Sequence, residues 1–206
     1  AEMFAWADTV ADLHGSVNMI VNNAGVNLAA TAANQSISDF EWVMDIDFWG
    51  VVHGTQAFLP HLHRADEGHV VNISSVFGLV SIPGQSAYNS AKFAVRGFSD
   101  ALRMELEIEK ANVSVTTIHP GGIKTNIVNS GRRDDTVRAI GQDPDDMQNE
   151  FDKFAMSSPE KAARQILKAV ERNRRRALIG PDAKLFDIAS RLPAGLYQRF
   201  FISSAR

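Results

Sequence analysis

Four short apolar runs, each closing on small or hydrogen-bonding residues and separated by long amphipathic stretches, limit what this chain can become. Residues 17–22 end in Asn22-Asn23-Ala24-Gly25, residues 70–73 run into Ser74-Ser75, residues 113–118 stop at Pro120-Gly121, and residues 177–179 lead to Gly180-Pro181. Between them, apolar side chains recur at helical spacing from Ser38 to about Leu59, from Ala87 to about Glu109 and from Pro159 to Arg172. Phe4, Trp6, Val10 and Leu13 mark an earlier helix closed by His14-Gly15. Ser38 with Glu41 three residues later has the form of a capping box. Strands alternating with helices make βαβ units, which need a parallel sheet covered on both faces. The reading is one α/β domain over residues 1–206, a doubly wound parallel sheet with no internal repeat.

Composition narrows the function. A net charge of −3, from 21 basic and 24 acidic residues, lacks the basic footprint of a nucleic-acid binder. With no cysteine, disulfides, thiolate zinc sites and thiol catalysis are all excluded. No apolar stretch reaches the roughly 18 residues of a membrane span, and the first residues resemble no secretory leader. The expectation is a cytoplasmic protein. The six histidines show no metal-ligand spacing, His61-x-His63 being the nearest, so no metal site is expected. Arg172 and Arg174-Arg175-Arg176 follow a helix end, where cations complement the dipole.

Two segments leave alternatives open. Residues 129–150, within a broader region of about 126–158, are polar and too long for an ordinary connection, so they form either a lid over a substrate site or a disordered stretch. Val137, Ile140 and Met147, spaced through them, favour the lid. The apolar tail 185–201, with Phe186, Ile188, Leu192, Leu196, Tyr197, Phe200 and Phe201, packs at a subunit interface of a dimer or tetramer, or touches a membrane surface.

In open parallel sheets ligands sit beyond the carboxyl ends of the strands. Alone, the glycines and asparagines there need only make turns. Tyr88-Asn89-Ser90-Ala91-Lys92 adds chemistry, because residues four apart on a helix share a face. An ammonium beside a phenol favours the phenolate and lowers its pKa, giving an acid/base usable near neutrality. Ser75, thirteen residues before Tyr88, ends the preceding strand, where its hydroxyl could hold a carbonyl oxygen. A surface Tyr–Lys pair with a turn serine is the plainer reading of these residues taken singly.

Together and in this order, Asn22-Asn23-Ala24-Gly25, Asn72-Ile73-Ser74-Ser75, Tyr88-Asn89-Ser90-Ala91-Lys92 and Pro120-Gly121-Gly122-Ile123-Lys124-Thr125 resemble the short-chain dehydrogenase/reductase family. The likeness runs from residue 1 to about 125 and more loosely to 181. It implies a Rossmann-like fold and an NAD- or NADP-dependent oxidoreductase that interconverts an alcohol and a carbonyl. Tyr88 is then the acid/base, Lys92 tunes Tyr88 and holds the nicotinamide ribose, and Ser75 polarises the substrate oxygen. Asn22, Asn23, Ala24 and Gly25 line the adenosine side of the cofactor, while Pro120, Gly121, Ile123 and Thr125 embrace the nicotinamide. Ser75, Phe77, Gln85 and Gly122 face the substrate. Phe77, Leu79, Val80, Ile127, Val128, Phe151 and Phe154 favour an apolar small-molecule alcohol or ketone, although core positions would have the same composition.

This chain departs from the family pattern in two places. Asp47 stands where the family has an asparagine associated with a proton relay to the lysine, so Asp47 joins the candidate catalytic residues, and Asp47→Asn is expected to raise turnover. The family's opening strand and Gly-rich pyrophosphate turn have no counterpart here. The expectation is that a first βαβ part of roughly 60–80 residues is unrecorded or truncated, leaving 17–22 as an unpaired apolar edge. The residue that selects NAD from NADP lies in that part. Other readings are an epimerase or dehydratase of the extended relatives, or a non-catalytic binding or regulatory protein on the same fold.

Overall fold

The computed structural model describes residues 1–204. Helix α1 (Glu2–His14) ends at Gly15, whose φ of 75° is the left-handed conformation common past helix ends. Strand β1 (Met19–Asn22) follows, then the short β2 (Leu28–Ala29) and helix α2 (Ile37–Met44). One π-helical turn over Asp45–Trp49 joins α2 to α3 (Gly50–Arg64). Next come β3 (Gly68–Ile73), a 3₁₀ turn at Val76–Gly78, the long α4 (Ser86–Ile108) and β4 (Val113–Pro120). The remainder is β5 (Arg132–Arg133), a 3₁₀ turn at Asp135–Ile140, α5 (Met147–Phe154), α6 (Pro159–Glu171), β6 (Arg176–Ile179), α7 (Pro181–Ala189) and α8 (Ala194–Ser204).

The four expected strands form one parallel sheet in the order β1-β3-β4-β6, with Asn22 beside Asn72 and Ile73 beside Ile118. Alternation along each strand divides the core. Ile20, Val70, Val113 and Val115 pack with Ala7, Phe58, Leu62 and Leu102 of α1, α3 and α4 on one face. Val71, Ile118, Ala177 and Ile179 pack with Ala162 and Ala169 of α6 on the other. The expected two-sided cover is incomplete at β1, which among the described residues pairs only with β3 and leaves Met19 41% and Val21 43% exposed.

Two local expectations are corrected. The helix cap is Ser36, not Ser38: its Oγ accepts the Asp39 N–H at 3.0 Å, and Asp39 instead of Glu41 completes the pair. The third strand does not stop before Pro120 but runs through it, because Pro120 pairs with Ile179 by register and Gly121 donates to the Ile179 carbonyl at 2.9 Å. Residues 129–150, read as a lid or a disordered stretch, are fastened to the rest of the domain at several points. β5 pairs in parallel with β2, Asp134 donates to the Ala29 carbonyl at 2.9 Å, and Val137 is fully buried. Arg132 stacks 4.0 Å from the Trp42 ring and bonds Asp39 at 2.6 Å. Exposed ion pairs of this kind stabilise by less than about 1 kcal/mol, so the backbone pairing and Val137 do most of the fastening.

Candidate active site

The carboxyl ends of β1, β3 and β4 meet the first turns of α4, and the sequence explains how tightly. Asn22 turns its side chain inward, donating to Asn72 at 2.8 Å and Thr55 at 3.1 Å. Asn72 donates to Ser99 at 2.9 Å, and Ser99 to the Val95 carbonyl at 2.7 Å. A buried polar chain fully satisfied in this way ties two strand ends to α3 and α4. Ser74 then donates to the Lys92 carbonyl at 2.8 Å, fixing the end of β3 on the same turn of α4 that carries the Tyr88–Lys92 pair.

On this frame Ser75, Tyr88, Lys92, Asp47 and Gly25 come together. Lys92, only 3% exposed, lies 3.1 Å from Asp47 and donates to the Ile73 carbonyl at 3.3 Å. An ammonium has three donors, and with one on the Ile73 carbonyl and the charge facing Asp47, Lys92 keeps donor capacity for Tyr88 or a ligand. Its Nζ sits 5.4 Å from the centre of the Tyr88 ring. Asp47 is wholly buried in the π-helical turn; Oδ1 accepts the Val26 N–H at 2.7 Å, and Oδ2 meets Lys92 as an ionic contact without hydrogen-bond direction. Gly25 lies directly over the ion pair: a methyl on it would touch Lys92 Nζ at 3.4 Å and the Asp47 oxygens at 3.6 Å, ordinary contact distances.

The electrostatics differ from the simple expectation for a lysine beside a phenol. Burial raises the Tyr88 pKa above its ordinary value; Lys92 and a hydrogen bond with Ser75 oppose this, and Asp47 adds to it. Burial likewise pushes Asp47 up, against the pull of Lys92 and the Val26 N–H. Asp47 thus cancels part of what Lys92 does for the phenol.

Other candidates are placed less closely. Phe77 meets the Tyr88 ring edge-on, with centroids 6.3 Å apart. Gln85 precedes α4, bridges the Ala30 backbone and keeps its Oε1 buried without a hydrogen-bond partner among the described residues. Asn23 and Ala24 are exposed in the loop after β1. Pro120 ends β4, and Gly121, Gly122 and Ile123 form the loop leaving it, where Ile123 bridges Ser157. Thr125 opens with Lys124, Asn126, Asn129, Gln148 and Asp152 onto a polar cleft of about 480 Å³.

Sequence reasoning missed two residues. His119, fully buried in β4, donates from Nδ1 to the Ser75 carbonyl at 2.8 Å and so holds the backbone of that serine. Asp182, in the first turn of α7, accepts the Gly122 N–H at 2.6 Å. The position of Asp182 just past a strand end was its one available signal. An acidic residue in a first helical turn is otherwise read as a complement to the dipole.

A doubly wound sheet bearing a buried serine, tyrosine and lysine at its strand ends defines an α/β enzyme of the dinucleotide-binding type. The sequence model of the short chain dehydrogenase family matches residues 1–136, so the chain belongs to that family and is an oxidoreductase. The putative oxidoreductase SadH of Mycobacterium tuberculosis is 46% identical over 198 residues, spanning 96% of this chain and 70% of the relative. Mouse dehydrogenase/reductase SDR family member 7B is 32% identical over 98% of this chain and 60% of its own length. A short-chain dehydrogenase/reductase from Burkholderia phymatum, solved in complex with NAD, superposes with a TM-score of 0.81 at 25% identity, covering 96% of this chain and 72% of that one. The fold is shared also with a Burkholderia cenocepacia short chain dehydrogenase solved with NADP, with a TM-score of 0.72 at 18% identity. Among the described residues no helix is long and apolar enough to cross a membrane.

Proposed function

We propose that the chain is an NAD(P)-dependent oxidoreductase that interconverts a secondary alcohol and a ketone on an apolar substrate. The observation that carries this is the buried Ser75–Tyr88–Lys92 group, with the lysine neutralised by Asp47 and still holding a spare donor. The residues fit a nicotinamide cofactor: the exposed loop after β1, with Asn23 and Ala24, leaves backbone open to close approach, and Lys92 has a proton left for a ribose hydroxyl. When bound, the cofactor supplies or takes up the hydride. Tyr88 gives its phenolic proton to the carbonyl oxygen in reduction and removes the hydroxyl proton in oxidation. Ser75 Oγ holds the same oxygen, and Lys92 stabilises the phenolate. Asn22, Asn23 and Ala24 belong to the adenosine side, and Pro120, Ile123 and Thr125 to the nicotinamide side.

An aromatic run supports an apolar substrate. From Tyr88 it passes to Phe77, then to Phe186 of α7 at 6.1 Å and to Phe201 of α8 at 6.3 Å. The outer faces of the same helices expose Leu185, Ile188, Leu196 and Phe200, which suits contact with a second copy of the chain. Incubation with an apolar ketone and NADH or NADPH deuterated at C4 tests the function. Deuterium recovered on the carbinol carbon supports it; no cofactor consumption across a panel of ketones would instead favour a non-catalytic role.

Asp47→Asn removes one of the two influences that raise the Tyr88 pKa. The expected result is a pH–rate profile for alcohol oxidation displaced to lower pH, with turnover at neutral pH raised severalfold. An unmoved profile with lower turnover would assign Asp47 to holding Lys92 alone.

A further inference from the structure

The Gly121-Gly122 pair is held from both sides by elements distant in sequence. Gly122 donates its N–H to Asp182 Oδ2 at 2.6 Å, and its carbonyl accepts from Met156 at 3.1 Å and Ser157 at 3.3 Å. Two residues on, Lys124 donates to the Ser157 carbonyl at 2.9 Å. A methyl on Gly121 would fall on the Asp182 carboxylate, and one on Gly122 would lie 2.9 Å from the backbone of Phe154 and Ala155. The loop is therefore a layer one backbone thick, pressed between the start of α7 and the end of α5. The second oxygen, Asp182 Oδ1, is buried beside Gly180 with no hydrogen-bond partner among the described residues. A carboxylate committed to one backbone N–H while its other oxygen goes unbonded is costly to bury. That cost is borne where the carboxylate sets the shape of the loop between β4 and the polar cleft.

We propose that Asp182 is a positioning residue of the active site: its carboxylate holds the Gly121-Gly122 backbone, and through it the loop 120–125, in the shape that receives the nicotinamide end of the cofactor. The inference rests on the nicotinamide reading above. It makes Asp182 specific to one end of the ligand, since nothing ties it to Asn22, Ala24 or Gly25 on the other side of the sheet ends. Because the bond runs to a charged acceptor, its loss should loosen the loop enough to cost roughly tenfold or more in dinucleotide affinity.

The test titrates the wild-type protein, Asp182→Ala and Asp182→Asn with NADH, NADPH and AMP, and records KM, kcat and the melting temperature. The expected result is that Asp182→Ala weakens the preferred dinucleotide about tenfold or more and lowers kcat, while AMP, which has no nicotinamide end, binds as to wild type. Asp182→Asn should recover most of the dinucleotide affinity, because its amide oxygen still accepts the Gly122 N–H. Wild-type dinucleotide affinity in Asp182→Ala overturns the proposal. So does an equal loss for AMP, or an Asn variant no better than Ala at a matched loss of melting temperature. If Asp182→Ala does not fold, Asp182→Glu takes its place. Its carboxylate, one methylene longer, should weaken the dinucleotide and spare AMP, and wild-type affinity there also overturns the proposal. A wild-type protein that binds AMP but neither dinucleotide removes the nicotinamide reading itself.

Discussion

Tyr88→Phe is expected to lower turnover by about 10²–10⁴-fold, the range of a lost general acid–base group, while the fold and the affinity for the dinucleotide stay as in wild type. The ring is what packs: Tyr88 is 9% exposed, edge-on to Phe77 and beneath the Lys92 ammonium, and phenylalanine keeps all of that. Only the hydroxyl that faces Ser75 is lost. The raised pKa of Tyr88 gives the prediction a second part, because a phenol kept protonated through neutral pH is ready to donate. Reduction of the ketone should therefore hold a plateau across neutral pH, and oxidation of the alcohol should climb toward alkaline pH as the phenol ionises. Steady-state rates in both directions, with circular dichroism and cofactor titration on the variant, check this. Turnover near wild type in Tyr88→Phe would exclude the phenol as the acid/base and return the non-catalytic reading to first place.

The sheet and the approach of Ser75, Tyr88 and Lys92 to one another were legible in the sequence because both depend on local pattern. A short apolar run closed by glycine or asparagine and flanked by long amphipathic stretches points to a strand from its own residues, and a Tyr-x-x-x-Lys pair shares a helix face by geometry alone. What was not legible depends on residues far apart. The polar stretch 129–150 looks unable to bury itself until β2 supplies a strand partner and Trp42 and Asp39 receive Arg132, 93 positions from Asp39. Asp182 looks like an ordinary first-turn acid until Gly122, 60 positions earlier, is found beneath it. Even the cap moved by two residues, since Ser36 and Ser38 both satisfy the motif, and only the extended backbone at Ser36, with a ψ of 150°, chooses between them. The Asp47 departure was visible. That it pairs directly with Lys92, in a π-helical turn that adds a residue to the helix, was not.

Acidification should destabilise the protein steeply between about pH 6.5 and 4, because burial holds two histidines uncharged. His69 shares a 2.8 Å hydrogen bond with Thr116, whose hydroxyl already donates to the Arg174 carbonyl, so His69 Nε2 carries the proton. Burial, reinforced by Arg103, lowers its pKa to about 4. His119 uses Nδ1–H on the Ser75 carbonyl, which leaves Nε2 to take the second proton in a buried place with no partner among the described residues, and burial holds its pKa at about 4 as well. In the unfolded chain both titrate near 6.5. Between these values the unfolded state binds protons that the folded state refuses, so the stability is fully present above about pH 6.5 and is lost as pH falls toward 4. Each histidine contributes on the order of 3 kcal/mol over that window, a large part of the 5–15 kcal/mol by which domains are stable. Asp47 acts in the opposite direction, since its raised pKa lets the folded state take up a proton first, and it offsets part of the loss. Thermal melts from pH 7.5 to 4 should show a steep decline that flattens in His69→Gln and in His119→Asn, each chosen to keep the donor nitrogen in place. A slope unchanged in both variants would place the acid sensitivity elsewhere. Because His119 grips Ser75, the fall in activity should accompany the fall in stability in the wild type and separate from it in His69→Gln, where the strand end at the active site is untouched.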